Sequence, residues 1–186
     1  MMNKKHRIII AVTGASGVIG EIIVKMLLEL GWNVRALTRS DRLCNSSQLT
    51  VVSSDINDEN GLRLLLEGVD AIFHCAAELT NEKKMYSTNV EGTRNLIKYI
   101  ANTKASYFCH LSSVGVIGPT SIPYVTEETD CNPRNLYERT KYEAENLVSN
   151  TNLGMNICIL RPTNVVSYAM PGILSSCAYN SWRYKI

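Results

Sequence analysis

The first 38 residues alternate between short apolar runs and one amphipathic segment. Residues 7–12 are mostly apolar and β-branched, and a glycine-rich turn follows them. Apolar side chains then recur between Ile22 and Leu30 at the spacing of one helix face, and Gly31 is placed to end the helix as a C-cap. A second apolar run covers residues 33–38. The pattern predicts a buried strand, a tight turn, a helix and a second strand of the same sheet.

The same alternation continues along the chain. Strands alternating with helices imply right-handed crossovers and a parallel sheet that is covered on both faces. We therefore predict an α/β fold, a doubly wound Rossmann-type parallel sheet of about six strands in the order 3-2-1-4-5-6, with helices on both faces. Residues 113–132 form the one long irregular stretch, which is typical of a binding loop. Further strands are predicted at residues 49–53, 70–75, 105–112 and 155–160, and helices at residues 58–67, 85–102 and 133–150.

The composition fits one compact domain and disfavours several classes of function. A chain of 186 residues with 45% hydrophobic composition can build a single core. Lysine and arginine number 19 against 17 acidic residues, which indicates no nucleic-acid partner. No window approaches the roughly 18 uncharged apolar residues of a membrane span, so no membrane partner is expected. The six cysteines lack a Cys-x-x-Cys pair, which favours a reduced, cytoplasmic protein.

The turn after the first predicted strand has glycines at 14, 17 and 20. Gly14 permits a sharp turn, Gly17 lets the backbone approach phosphates, and Gly20 lets the helix pack closely on the strand. The helix N-terminus adds free amide donors for an anion. A glycine-rich turn without a ligand would show the same spacing, but its position after an apolar strand favours a dinucleotide site. The predicted phosphate-binding residues are Gly14, Ser16, Gly17, Val18, Ile19 and Gly20.

The end of the second predicted strand bears on the choice of cofactor. An acidic side chain there would bind the ribose hydroxyls of NAD, whereas a basic one favours the phosphate of NADP. The chain has Arg39 at this place, with Arg42 close behind, and no carboxylate before Asp41. A guanidinium suits a phosphate, although an ordinary solvated arginine would look the same. NADP is the predicted cofactor, with NAD as the alternative.

Tyr137 and Lys141 lie four residues apart in the predicted helix 133–150, so they project from one face. A free phenol has a pKa of about 10, and a nearby ammonium would lower the pKa of Tyr137 toward the range of a proton shuttle. Such a pair is common on exposed helices. The strand that ends near Ser112-Ser113 should reach the same edge of the sheet, however, and would place a hydroxyl beside the tyrosine.

The pairs His74-Cys75 and Cys109-His110 carry metal-ligating residue types and should lie on neighbouring strands. Adjacent residues on a strand point to opposite faces, so the four side chains cannot converge on one ion. We therefore predict no metal.

These motifs, in this order, resemble the extended short-chain dehydrogenase/reductase family, which includes sugar-nucleotide epimerases and dehydratases, dihydroflavonol-type reductases and 3β-hydroxysteroid-dehydrogenase-like proteins. The resemblance covers about residues 7–165 and implies an NAD(P)-dependent enzyme. It implies that Tyr137 is the general acid/base, that Lys141 anchors the ribose and modulates the tyrosine pKa, that Ser113 orients the substrate and that Asn89 supports the active-site helix. It further implies cofactor contacts from Asp55, Ile56, Ala76, Ala77, Tyr137, Lys141, Pro162, Asn164 and Val165.

Family members usually continue for a hundred or more residues, so we expect an NAD(P)-binding domain at residues 1–165 and a short remnant of a substrate domain at 166–186. Hydride transfer on a sugar nucleotide or another carbonyl or alcohol is the expected reaction of an oxidoreductase, epimerase or dehydratase. The alternative is a catalytically impaired dinucleotide-binding module. Uncovered apolar surface would favour self-association, for instance as a homodimer.

Overall fold

A computed structural model describes residues 8–165 of the chain. The described residues form a six-stranded parallel sheet in the order β3-β2-β1-β4-β5-β6, as predicted. The strands are β1 (Ile9–Thr13), β2 (Asn33–Thr38), β3 (Leu49–Ser53), β4 (Ala71–His74), β5 (Tyr107–Leu111) and β6 (Asn156–Leu160). The helices are α1 (Val18–Glu29), α2 (Glu59–Leu66), α3 (Glu82–Tyr86), α4 (Gly92–Ile100) and α5 (Leu136–Ser149), with a short 3-10 turn at Val114–Val116.

The first strand, helix and strand follow the apolar pattern closely. Helix α1 ends in a pair of hydrogen bonds from the amides of Gly31 and Trp32 to the carbonyls of Leu28 and Leu27, at 2.9 and 3.1 Å. Gly31 has φ +78°, a backbone conformation that glycine adopts without a steric penalty. The predicted C-cap glycine therefore redirects the chain into β2.

The predicted single helix 85–102 is wrong in its bounds and in its continuity. The helical region begins earlier, with α3, and passes through a π-helical turn at Ser87–Glu91 before α4. Within that turn Thr88, Asn89 and Val90 are all buried, and π-helical turns of this kind are often found at functional sites. A search for 3.6-residue periodicity cannot detect such an insertion.

Two apolar clusters cover the two faces of the sheet, which confirms the doubly wound arrangement. On one face α2, α4 and α5 pack over side chains such as Ile72 and Phe108. On the other face α1 packs over residues such as Ile10 and Val34. The side chains of Ile72 and Phe108 are fully buried, as expected for the middle of a two-sided sheet.

The tail predicted at residues 166–186 lies outside the described residues, so the predicted division of the chain into two parts stays a prediction. None of the described helices has the length and apolar character needed to cross a membrane.

Candidate active site

A cleft of about 640 Å³ opens where the β-strands end at their carboxyl edge. It brings together the glycine turn near the start of the chain and the tyrosine and lysine of α5. All of the predicted cofactor-contacting residues line it, and so does Ser113. Asn89 is the one predicted site residue that does not. Further lining residues, which sequence reasoning left out of the site, are Leu37, Thr38, Ser40, Ser54, Cys75, Leu79, Thr88, Leu111, Ser112 and Thr163.

The glycine turn is held by close backbone contacts. Gly14 has φ +62°, and a Cβ there would come within 2.7 Å of the Ala76 Cα and amide nitrogen. A Cβ on Gly20 would lie 2.2 Å from the Gly14 carbonyl oxygen. Gly17 precedes α1 and has no side chain to cap it, so the first amides of the helix face the cleft without a side-chain acceptor. A turn packed this tightly, at a helix N-terminus, has the form of an anion-binding site.

Polar and charged side chains surround the next part of the cleft, at the carboxyl ends of β2 and β3. The Arg39 guanidinium lies 3.6 Å from the Asp55 carboxylate, and both side chains are about half exposed. The Thr38 hydroxyl donates to the Ser16 hydroxyl at 2.7 Å, and the Arg42 guanidinium donates to the Ser16 carbonyl at 2.7 Å. Arg42 thus ties the segment after β2 to the glycine turn, a contact for which the sequence had no signal beyond a second basic residue.

Tyr137 and Lys141 lie one turn apart near the start of α5. That helix begins with a capping box, in which the Asn135 side chain accepts from the Glu138 amide and the Glu138 carboxylate accepts from the Asn135 amide. Because the cap sets where the first turn starts, it sets which way Tyr137 and Lys141 point. Burial raises the pKa of the Tyr137 phenol, and a hydrogen bond with Ser113 opposes that effect.

The expected lowering of the Tyr137 pKa by Lys141 is wrong for this structure. The Lys141 side chain is only 2% exposed, and its ammonium donates to the Leu111 carbonyl at 2.5 Å. Burial lowers the pKa of Lys141 itself to about 8. A lysine that is desolvated and hydrogen-bonded to the end of β5 has less influence on the phenol than helical spacing alone suggests.

Asn89 lies behind the cleft, where it joins two segments. Its side-chain oxygen accepts from the Glu78 amide at 2.7 Å, and its side-chain nitrogen donates to the Glu78 carbonyl and to the Thr140 hydroxyl, each at 3.0 Å. Thr140 in turn donates to the Tyr137 carbonyl at 2.9 Å. Asn89 therefore contacts the helix of Tyr137, and its supporting role stays a prediction.

Ser112, the neighbour of the predicted site residue Ser113, offers the cleft a further polar atom. Its hydroxyl oxygen is buried and has no hydrogen-bond partner among the described residues, although the residue lines the cleft. A buried hydroxyl without a partner is costly, so a ligand group that bonds it would be stabilised there.

The long loop predicted to bind ligand is attached to the sheet by Arg161. Its guanidinium lies 2.5 Å from the buried Glu145 carboxylate and also donates to the Glu127 carbonyl. It contacts the Cys131 sulfur as well. One side chain after β6 therefore holds α5 and the end of the loop together.

The strand order, the glycine turn and the cleft together define a Rossmann-type dinucleotide-binding fold. The model of the NAD dependent epimerase/dehydratase family matches residues 10–178. The chain belongs to this family, within the extended short-chain dehydrogenases/reductases.

Individual relatives are similar over most of this chain. A 3-beta-hydroxysteroid dehydrogenase of Mycolicibacterium neoaurum is 33% identical over 84% of this chain and 47% of that protein. A short-chain dehydrogenase/reductase superfamily protein of Agrobacterium tumefaciens, solved with bound NAD, is 28% identical with a TM-score of 0.74 over 82% of this chain and 48% of its own. A UDP-glucuronic acid 4-epimerase of Bacillus cereus in complex with NAD is 26% identical with a TM-score of 0.73, over 84% of this chain and 56% of its own. The chain thus spans about half the length of these relatives.

Proposed function

We propose that this chain forms the nucleotide-binding and catalytic part of an NAD(P)-dependent oxidoreductase, epimerase or dehydratase. One observation carries the proposal: a single cleft is lined both by the glycine turn and by Ser113, Tyr137 and Lys141. Phosphate-binding and proton-transferring groups in one cleft suit hydride chemistry on an alcohol or carbonyl carbon.

The lining residues fit a dinucleotide. The turn from Gly14 to Gly20 and the N-terminus of α1 would bind the pyrophosphate, and Asp55 with Ile56 would contact the adenine. Ala76, Ala77, Pro162, Asn164 and Val165 would line the remainder. The bound nicotinamide supplies the hydride donor or acceptor.

Proton transfer falls to the side chains of this chain. Tyr137 donates a proton to the substrate oxygen in reduction and accepts one in oxidation. Ser113, which lines the same cleft as Tyr137, orients the same oxygen. Lys141 holds the nicotinamide ribose, and Asn89 positions α5 through Thr140.

NADP is the proposed cofactor and NAD is the alternative. Arg39 and Arg42 support NADP, because two guanidinium groups lie at the end of β2 where a ribose phosphate would be bound. The paired carboxylate of Asp55 and the NAD in the related structures favour the alternative. Parallel titrations with NADPH and NADH decide between them, and tighter binding of NADH would reject the NADP proposal.

The substrate is a carbonyl or alcohol compound, for which the relatives suggest two classes, hydroxysteroids and nucleotide sugars. The test is turnover, followed by nicotinamide absorbance for steroids and by product analysis for UDP-sugars. Turnover of either class supports the enzyme and names the class. Saturable NADPH binding without turnover of any of them supports the rival, a catalytically impaired binding module. A homodimer and a cytoplasmic location stay predictions.

A further inference from the structure

A chain of buried hydrogen bonds passes through His74, at the end of β4. The parallel register sets Thr13, the last residue of β1, beside His74. The His74 Nδ1 atom lies 2.7 Å from the Thr13 hydroxyl, and its Nε2 atom lies 2.9 Å from the Thr93 hydroxyl on α4. All three side chains are at most 1% exposed. His74 is behind the cleft and does not line it.

Counting donors and acceptors fixes the tautomer of the His74 ring. The Thr93 hydroxyl oxygen lies 2.6 Å from the Asn89 carbonyl, which has no hydrogen to give, so Thr93 must donate there. The Thr93 oxygen therefore accepts from His74 Nε2–H, and Nδ1 is left as an acceptor. Burial lowers the pKa of His74 to about 3, with a smaller contribution from Lys141, so the ring is neutral.

On the Nδ1 side, the ring is hydrogen-bonded to a residue that contacts the backbone packed against the glycine turn. Thr13 donates to Nδ1, and its oxygen accepts from the Ala76 amide at 3.2 Å. Ala76 is the residue whose backbone approaches Gly14 so closely that no Cβ could fit. His74 thus holds the contact between the end of β4 and the phosphate-binding turn.

On the Nε2 side, the ring is hydrogen-bonded to the helical segment that contacts the helix of Tyr137. Thr93 receives the Nε2–H and bonds the carbonyl of Asn89, inside the π-helical turn. The Asn89 side chain then bonds Thr140, and Thr140 bonds the Tyr137 carbonyl. Every donor and acceptor of these side chains along the path has a partner, so the path has one arrangement of hydrogens.

We propose that His74 is a positioning residue whose neutral ring, with hydrogen on Nε2, joins the phosphate-binding turn to the helices that support Tyr137. The inference rests on the proposed function in giving the glycine turn a phosphate to bind and Tyr137 a chemical role. The hydrogen-bond path itself is independent of any substrate.

The first test is spectroscopic. The 186-residue chain is labelled with ¹⁵N at its three histidines. Long-range proton–nitrogen correlation spectra then report which ring nitrogen carries the hydrogen. We expect the His74 ring to show the Nε2–H form and to stay neutral from pH 5 to 8. The titratable groups next to the ring are His110 and Lys141. An Nδ1–H ring, or a ring that gains a proton within that range, would overturn the proposal.

The second test separates the effects of the two hydrogen bonds of the His74 ring. His74→Asn keeps an acceptor near the Nδ1 position and removes the donor to Thr93, whereas His74→Gln keeps a donor near Nε2 and removes the acceptor for Thr13. We expect the Asn variant to shift the amide resonances of Asn89 and Thr140 and to leave the dissociation constant of NADPH within about twofold. We expect the Gln variant to shift those of Gly14 and Ala76 and to weaken NADPH binding by about tenfold, the size of one lost buried hydrogen bond.

His110→Leu is the matched control. His110 lies beside His74 in register on β5, with ring centroids 5.2 Å apart, and neither of its ring nitrogens has a partner among the described residues. Its replacement removes a buried histidine but no hydrogen bond, so both readouts should stay near those of the parent chain. Equal changes in both readouts for the Asn and Gln variants would show a general packing role and refute the proposal.

Thr93→Val keeps the proposal testable if the His74 variants fold poorly. It preserves the shape of the side chain and removes the hydroxyl that accepts from Nε2. The resonances of Asn89 and Thr140 should shift as in His74→Asn, while NADPH binding stays within about twofold. Weaker NADPH binding of Thr93→Val by about tenfold would count against the two-sided arrangement. If the parent chain binds neither NADPH nor NADH, the proposed function fails, while the tautomer and the amide shifts still decide the role of His74.

Discussion

The two ends of the cleft are built differently. At the phosphate end, backbone meets backbone: Gly14 and Gly20 pack so closely that a single methyl group cannot be added. At the catalytic end, side chains form hydrogen bonds to backbone and to one another, through the cap at Asn135 and the contacts of Asn89 and Lys141. The first end should therefore fail through steric strain when it is altered, and the second through lost hydrogen bonds or charge. Four predictions test that contrast, from the largest expected effect to the smallest.

The largest effect is expected at the catalytic end, from Tyr137→Phe. Loss of the phenolic hydrogen should lower turnover of an accepted substrate by about 10²–10⁴-fold, because general acid/base catalysis contributes that much. NADPH binding and the melting temperature should change little. Tyr86→Phe is the control, since that exposed phenol bonds Glu143 away from the cleft. Turnover of the Tyr137 variant at the parent rate would remove the tyrosine from the mechanism.

The next effect is expected at the phosphate end, from Gly14→Ala. The new Cβ would lie 2.7 Å from Ala76 backbone atoms at φ +62°, which combines overpacking with backbone strain. We expect a loss of about 3 kcal/mol or more in the free energy of unfolding, measured with urea, together with loss of NADPH binding.

Gly31→Ala is the control that separates backbone strain from close packing in the effect of Gly14→Ala. Gly31 also has positive φ, at +78°, but nothing lies within 4 Å of the position of its Cβ. It should cost only about 1 kcal/mol of backbone strain. Equal losses for the two variants would show that close packing contributes nothing at Gly14.

The lowered pKa of Lys141 predicts that the free energy of unfolding depends on pH. Its pKa is lowered in the folded chain from 10.5 to about 8, so the unfolded chain binds the additional proton between those values. The free energy of unfolding should therefore rise with pH across that window, by up to about 3 kcal/mol relative to Lys141→Met. Urea titrations of both chains from pH 7 to 10.5 measure the difference. A constant difference across the window would mean that the Lys141 ammonium is not destabilised by burial.

The smallest effect concerns the choice of cofactor. Arg39→Ala should weaken binding of NADPH by about tenfold and that of NADH by less, because a guanidinium–phosphate contact is worth roughly that much. Arg63→Ala is the control, as an exposed arginine on α2 that pairs with Glu59. An equal loss for both nucleotides would assign Arg39 to its ion pair with Asp55 rather than to a phosphate.

Much of this fold was predictable from local patterns. The glycine turn, its place between β1 and α1 and the four-residue spacing of Tyr137 and Lys141 follow from residues close together in the chain. The strand order follows from the alternation of strands and helices, which selects a doubly wound sheet. The bounds of the π-helical turn did not, because one inserted residue leaves no periodic trace. The direction of the Tyr137 pKa was also mispredicted, since helical spacing says nothing of how deeply Lys141 is buried.

What the sequence by itself determined was the succession of elements and the residue types at the carboxyl edge of the sheet, because these depend on short-range periodicity and on the backbone freedom of glycine. Only the tertiary structure decided that Arg39 faces Asp55, that Lys141 is held by the Leu111 carbonyl, and that His74 lies between Thr13 and Thr93. Those contacts join residues up to 61 positions apart. They depend on the register of neighbouring strands and the depth of burial, which form only when the whole sheet is assembled.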